Sequence, residues 1–365
     1  FKVTERGRHA APDSPFYRER WLLCSSRDEQ AVVFASDQDI SVMYESPHLI
    51  MDGTFKVAPD EFMQIYTIHA WGNYGHEAIP VAHAVMHSKT AASYAYVLSQ
   101  IRQKLEAAHG GIGAIRFMHT DYEHAAHIAI RQIFPDVILK GCNFHFGQAI
   151  NRKLQQIGLR FLWNDAGLTG EWLGCLKALA MLPSCLIRPA FVSIIGYPPV
   201  QQDDSVQAKL LAFRGYFENT WLNGNFPIDL WCQWDNSGPR TTNHAEGYHN
   251  RLNMIDLRDM NLAMRNFLHL LQPLHNRDQI RVRNLRRRVF QPKQRDQTYV
   301  ELDDRIEAAK QRLVETTEQF WNIPDFNPDA LPQNDFHVLM AEVHRFLRCV
   351  RFLIGKKSRV VINIE

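Results

Sequence analysis

The chain has 365 residues, of which 45% are hydrophobic and 22% charged, and its formal charge is +2. That length allows one large domain or two ordinary ones with a substantial core, and the composition is that of a globular protein. No apolar run reaches the roughly 18 residues a membrane helix needs and no charged-then-apolar leader opens the chain, so no membrane partner is expected. The near-neutral balance argues neither for nor against nucleic acid, because what matters is where the charge sits. Six scattered cysteines without framework spacing suit a reducing compartment, cytosol or nucleus. Opening on Phe1 rather than Met, the chain reads as a piece of a longer protein.

Residues 1–45 mix short apolar stretches with Arg, Asp and Ser and read as a lead-in, with one strand around Ala31 to Phe34. From Leu49 the pattern sharpens. Leu49 to Val57 predicts a strand, with Asp52, Thr54 and Lys56 on one side. Phe62 to Ala70 and Ile79 to His87 predict two more, joined through the turn-rich Trp71-Gly72-Asn73-Tyr74-Gly75. Thr90 to Ala108 has apolar residues at helical spacing and stops before Gly110-Gly111. Ile115 to Thr120 is a fourth strand running into Asp121, Tyr122 to Phe134 a helix stopped by Pro135, and Val137 to Leu139 a fifth strand. The order β-β-β-α-β-α-β and then helix is that of a ribonuclease-H-like fold, a mixed sheet of the α/β class with helices on its faces.

Beyond it the pattern turns helical. The expected organisation is a ribonuclease-H-like core over 46–150, an all-helical insertion over 151–238, a final core helix over 239–256, and a helical, basic C-terminal region over 257–365. The insertion is rich in aromatics, including Trp163, Trp172, Trp221, Trp231 and Trp234. Such rings are more often the core of a helical subdomain than platforms for a splayed base.

Three segments stand out: Met51-Asp52-Gly53-Thr54-Phe55, His119-Thr120-Asp121-Tyr122-Glu123, and Thr241 to Asn250 with Glu246 at its centre. Cys142-Asn143-Phe144-His145 lies between the second and third. Singly, each acid has an ordinary explanation. Asp52 before Gly-Thr could initiate a turn, Asp121 could cap a helix, and Asn243-x-x-Glu246 has the form of a capping box. In this order, with these elements between them, they resemble the Mutator-like (MULE) family of DNA transposases over roughly residues 45 to 255.

The resemblance implies an Asp-Asp-Glu triad, Asp52, Asp121 and Glu246, as catalytic residues holding two divalent metal ions, Mg²⁺ with Mn²⁺ as substitute. Two such ions clamp the attacking and leaving oxygens of a phosphodiester displacement, and carboxylate oxygens suit them. Asp52 would bridge, with Asp121 on one metal and Glu246 on the other. The resemblance also implies double-stranded DNA as partner, a homo-oligomer holding two DNA ends, and a nuclear location.

Cys142 and His145 have the spacing of half a zinc site, with His244 and His249 as candidates for the other half. Five residues on a helix turn a side chain by about 140°, so those two histidines would not converge comfortably. The favoured reading is that Cys142, His145 and His249 shape the acidic site. His119, His124 and His127 cluster around Asp121 without a ligand role being assigned. Arg277, Arg281, Arg283, Arg286, Arg287, Arg288, Lys293 and Arg295 crowd one stretch of the tail. Within it Arg286, Arg287 and Arg288 are the candidate phosphate contacts, against a solvated helix face or a nuclear localisation signal.

The activity expected is metal-dependent nicking at element ends followed by strand transfer. Two rivals stand beside it: a domesticated, transposase-derived DNA-binding or chromatin protein without catalysis, and a metal-dependent nuclease of the same fold.

Overall fold

The computed structural model describes residues 19–26, 28, 31–75, 77–253, 264–292 and 296–354. Seven strands are present: β1 (Leu22–Ser26), β2 (Ala31–Phe34), β3 (His48–Thr54), β4 (Gln64–Trp71), β5 (Ile79–Met86), β6 (Phe117–Thr120) and β7 (Ile138–Gly141). The described α-helices, in chain order, are α1 (Asp37–Glu45), α2 (Ala91–His109), α3 (His124–Ile133), α4 (Asn143–Gln156), α5 (Leu168–Ala178), α6 (Ser184–Ser193), α7 (Asp204–Phe217), α8 (Ile228–Trp231), α9 (Asn243–Asn253), α10 (Met264–Arg286), α11 (Gln297–Thr316), α12 (Glu318–Trp321) and α13 (Gln333–Leu353). Among the described residues no helix is long and apolar enough to cross a membrane.

The chain divides into two compact units. The first takes the chain up to Phe144 together with Ser237–Gln294; the second takes His145–Asn236 and the chain from Arg295.

The first unit is built on one mixed sheet in the order β1-β2-β5-β4-β3-β6-β7. β3, β4 and β5 are antiparallel neighbours, whereas β6 lies parallel to β3, and β7 parallel to β6. Strands β3 to β5 are buried almost throughout, which is why they read as apolar runs rather than strict alternation. The direction of pairing puts the carboxyl ends of β5, β3, β6 and β7 on one edge of the sheet. One face is covered by α9 and α10, whose Tyr248, Leu252, Phe267, Leu268 and Leu271 pack with Val32, Phe34, Ile65 and Val85. On the other, Tyr94 of α2 meets Tyr66 of β4 edge-on at 4.9 Å between centroids.

The five strands expected from Leu49 onward are present within a few residues of their expected bounds. The expected lead-in over 1–45 also supplies β1, β2 and α1, and both strands join the sheet. The described helices of the expected C-terminal region divide: α10 belongs with the sheet, α11 to α13 with the helical unit. The masking helix of the sheet face therefore comes from beyond the final core helix, a long-range choice that periodicity does not reveal.

The second unit is helical. α13 packs against α5, α6 and α11, and Glu171 of α5 holds Arg348 and Arg351 of α13 at 2.9 Å each. Its core is aromatic: Phe146 stacks on Trp231 at 5.2 Å and meets Trp221 edge-on at 4.7 Å. Trp172, Trp221 and Trp231 are buried core residues, so their rings are not open platforms for a base.

Candidate active site at the carboxyl edge of the sheet

Strand β3 carries Asp52 and β6 delivers Asp121. The parallel register pairs His48 with Phe117, Leu49 with Met118 and Ile50 with His119, so each partner stands 69 residues on. Asp121 is the same 69 residues after Asp52. Asp121 follows the last residue of β6, so that register, carried two residues further, would bring it level with Asp52; paired strands are about 4.8 Å apart. Asp52 is only 8% exposed, and Asp121 is partly buried.

Each acid is held by its own surroundings. Asp52 Oδ2 lies 3.3 Å from Nδ1 of His249, whose Nε2 is 3.4 Å from Thr67 Oγ1. Thr67 is the residue opposite Asp52 on β4, so one imidazole spans a cross-strand pair. His249 is delivered by α9, which is pinned further by Tyr248, its hydroxyl 2.7 Å from His83 Nε2. Asp121 Oδ1 accepts the Glu123 amide at 3.2 Å, and its carbonyl is 2.7 Å from His127 Nε2. The N-cap residue of α3 is Glu123, not Asp121, which stands two residues before it. Burial drives the His127 imidazole down to about 4, with the Asp121 carbonyl opposing the shift.

Glu246 lies on α9, and α9 packs across β3 and β4. It precedes His249 by three positions, which share one helix side. The side chains of Glu246 and His244 lie outside the described residues. Among the described residues no group of three or more His, Cys, Asp or Glu is arranged to hold a metal ion.

Cys142, just past β7, is buried at 2% exposure. Its sulfur accepts hydrogen bonds from the Thr242 amide at 3.3 Å and the Thr242 hydroxyl at 3.5 Å. The Asn143 amide donates to the Arg240 carbonyl at 2.8 Å. Together these tie the segment entering α9 to the end of β7, fixing where the helix begins, three residues before Glu246. His145 lies on α4 in the helical unit and is half-buried.

A cluster absent from the sequence expectations flanks the acids. The Glu123 carboxylate accepts from Tyr94 at 2.9 Å and pairs with Lys89 at 3.2 Å. Tyr94 in turn accepts from the Gln64 amide at 2.7 Å. Burial pushes the Tyr66 and Tyr94 phenols well above their ordinary range, and the neighbouring acids add to the effect at Tyr66. Glu123 sits inside a segment singled out by sequence, but nothing local signals a lysine 34 residues upstream as its partner.

The basic stretch of α10 is not uniformly free. Arg286 donates to the Tyr74 hydroxyl at 2.9 Å and to Glu45 at 2.9 Å, and Arg281 grips Glu77 through two bonds of 2.5 Å. Arg287 and Arg288 are exposed, Arg288 with a left-handed φ of 56°. Lys293 and Arg295 lie outside the described residues.

No curated protein matches the chain. Against protein-family models, residues 48–149, the stretch from β3 into α4 that contains Asp52, Asp121, Cys142 and His145, match the MULE transposase domain. The segment that builds the acidic edge of the sheet thus matches the MULE transposase domain, the family its motifs resemble.

Proposed function

We propose that the sheet unit is the catalytic core of a DDE-type DNA transposase, which nicks DNA at element ends and joins the freed 3′-hydroxyl to a target. The observation that supports this is the parallel pairing of β3, which carries Asp52, with β6, which ends one residue before Asp121, together with the packing of the Glu246 helix α9 on β3 and β4. The strand order β5-β4-β3-β6-β7, three antiparallel strands followed by two parallel ones, supports the ribonuclease-H-like reading. So does the position of the acids, since ligands of open α/β sheets bind beyond the carboxyl ends of the strands.

The donor set suits a hard divalent cation: two carboxylates come from paired strands, and a third acid stands on the covering helix. Asp52, Asp121 and Glu246 would hold two Mg²⁺ or Mn²⁺ ions, which supply a clamp on the attacking and leaving oxygens of an in-line displacement. The chain's own contribution is orientation. His249, wedged between Asp52 and Thr67, fixes the direction of the Asp52 carboxylate, as supporting hydrogen bonds do around metal ligands. Cys142 fixes the start of α9 and with it the height of Glu246. Arg287 and Arg288 add sequence-independent attraction for phosphate; Arg286, held by Glu45 and Tyr74, contributes less. Double-stranded DNA as substrate, a homo-oligomer pairing two ends, and a nuclear location belong to the same reading.

The test is to incubate the chain with a pre-cut DNA end, a supercoiled target and Mg²⁺ or Mn²⁺. Joined products are expected from the wild type. Asp52→Asn or Glu246→Gln should lower joining by at least about a thousandfold while both variants melt cooperatively. Cleavage without joining would identify a nuclease, and DNA binding with neither reaction a domesticated protein. Joining by either variant would remove the assignment of the acids.

A further inference from the structure

A second group of side chains emerges beside the acids. Phe55 follows the end of β3, Lys89 follows β5 and Glu123 follows β6. These three strands run in the same direction, so all three residues reach the same edge of the sheet. The Lys89 ammonium lies 3.9 Å from the centroid of the Phe55 ring and 3.2 Å from Glu123 Oε2. The Glu123 amide reaches Asp121 directly, at 3.2 Å. Phe55 is three residues from Asp52, about 10 Å along an extended chain.

The Phe55 ring is 54% exposed. An aromatic so placed adds little to the core, yet it is mounted on the rigid end of a central strand, and exposed Lys56 follows it. The Lys89–Glu123 pair is itself partly open, with side-chain exposures of 30% and 21%, and an ion pair of that kind is weak enough to exchange partners at little cost. Glu123 would not be stranded by the exchange, because Tyr94 continues to donate to it. A half-exposed ring with a releasable cation over one face offers what a nucleotide requires once that cation turns away: a surface for the base and a charge for the phosphate.

We infer that Phe55 and Lys89 form a seat for one unpaired nucleotide of the DNA strand entering the acidic site. The base stacks on Phe55 and Lys89 turns from Glu123 to the phosphate. This inference rests on the transposase reading above and adds to it that the strand is gripped with a base splayed out, since a ring can stack only on a base whose face is free. Lys89 and Phe55 are positioning residues in this account; neither touches the reacting phosphorus.

The test uses the full 365-residue chain and a duplex with a short single-stranded tail carrying 2-aminopurine. Wild type is expected to bind the tailed duplex more tightly than a blunt one and to quench the reporter. Phe55→Ala should weaken tailed-duplex binding roughly tenfold and abolish quenching, leaving blunt-duplex affinity and melting temperature unchanged; Phe55→Tyr should restore both signals. Lys89→Gln should lower the slope of log affinity against log salt by about one. If wild type binds the tailed DNA and Phe55→Ala binds and quenches as well, the inference falls and the transposase reading stands. Equal losses in Phe55→Ala and Phe55→Tyr would also overturn it. A folded wild type that binds no DNA would overturn both.

Discussion

Between the two acids and the Lys89–Glu123 cluster sits Gly53. A Cβ at this position would come 2.6 Å from Gln64 Oε1. Gln64 is fully buried and its amide nitrogen is committed to Tyr94, so its end is not free to swing aside. Gly53→Ala is expected to destabilise the protein by about 1–3 kcal/mol, the cost of overpacking a filled site. Urea unfolding would show it as a lower midpoint at unchanged slope; a midpoint within error of wild type would mean that Gln64 yields. The same contact explains what was legible at this scale. Asp52 and Asp121 were legible only jointly, through their order and the elements between them, since each alone reads as a turn or cap residue. Lys89, Tyr94 and Gln64 were not legible, because their roles arise only from pairing across strands and from α2 folding back over them. His249 was legible as a helical position, but its partnership with Asp52 spans 197 residues.

Helix α10 shows how an element is assigned to a unit. Its apolar stripe (Met264, Phe267, Leu268, Leu271, Leu274) follows the i, i+3, i+4, i+7 rule and predicts a helix. The stripe does not say which core it enters. That is decided with a polar lock: Asp39, 2% exposed, accepts from the Ser36 amide and hydroxyl at 2.7 Å each and lies 2.9 Å from His275 Nε2. Gln279 joins the same carboxylate, and Trp21 stacks on His275 at 5.1 Å. Ser36 and Asp39 form the capping box of α1, so the start of one short helix docks the long one. The lead-in expectation for residues 1–45 placed β2 at Ala31–Phe34 but missed β1 and α1, because β1 is only five residues long, too short for alternation to register, and because a buried acid can be recognised only from its partner. His275→Ala removes a donor to a buried carboxylate and a ring from the stack. It should cost about 2–4 kcal/mol and raise amide exchange over α10 before the strands β3 to β5. Uniform exchange across both would show that α10 is not held by this lock.

At the scale of the whole molecule, the two units interleave along the chain, yet the sheet unit is closed where the helical insertion leaves it. The Asn143–Arg240 and Cys142–Thr242 bonds bring the two ends of the insertion together. The buried histidines of the sheet unit give its stability a pH dependence. His48 Nδ1 lies 3.0 Å from His119 Nε2. Burial drives His48 down to about 4 and His119 down to about 3, the latter helped by the charges of His48 and Lys140. Imidazoles freed by unfolding titrate near 6.5. Below that value the unfolded chain binds protons that the folded sheet refuses, so stability falls as the pH drops from about 6.5 toward 3 to 4. The loss is up to about 1.4 kcal/mol per pH unit for each such histidine. Above 7 both states hold neutral imidazoles and the contribution is flat. Among the described residues, the histidines driven down to about 3 or 4 all lie in the sheet unit. Acidification from pH 7 to 5 should therefore speed hydrogen exchange in β3, β6 and α3 well before it does so in α5 and α13. His119→Gln should flatten the dependence for the sheet, whereas equal acid sensitivity in both units would show that the buried histidines do not control it.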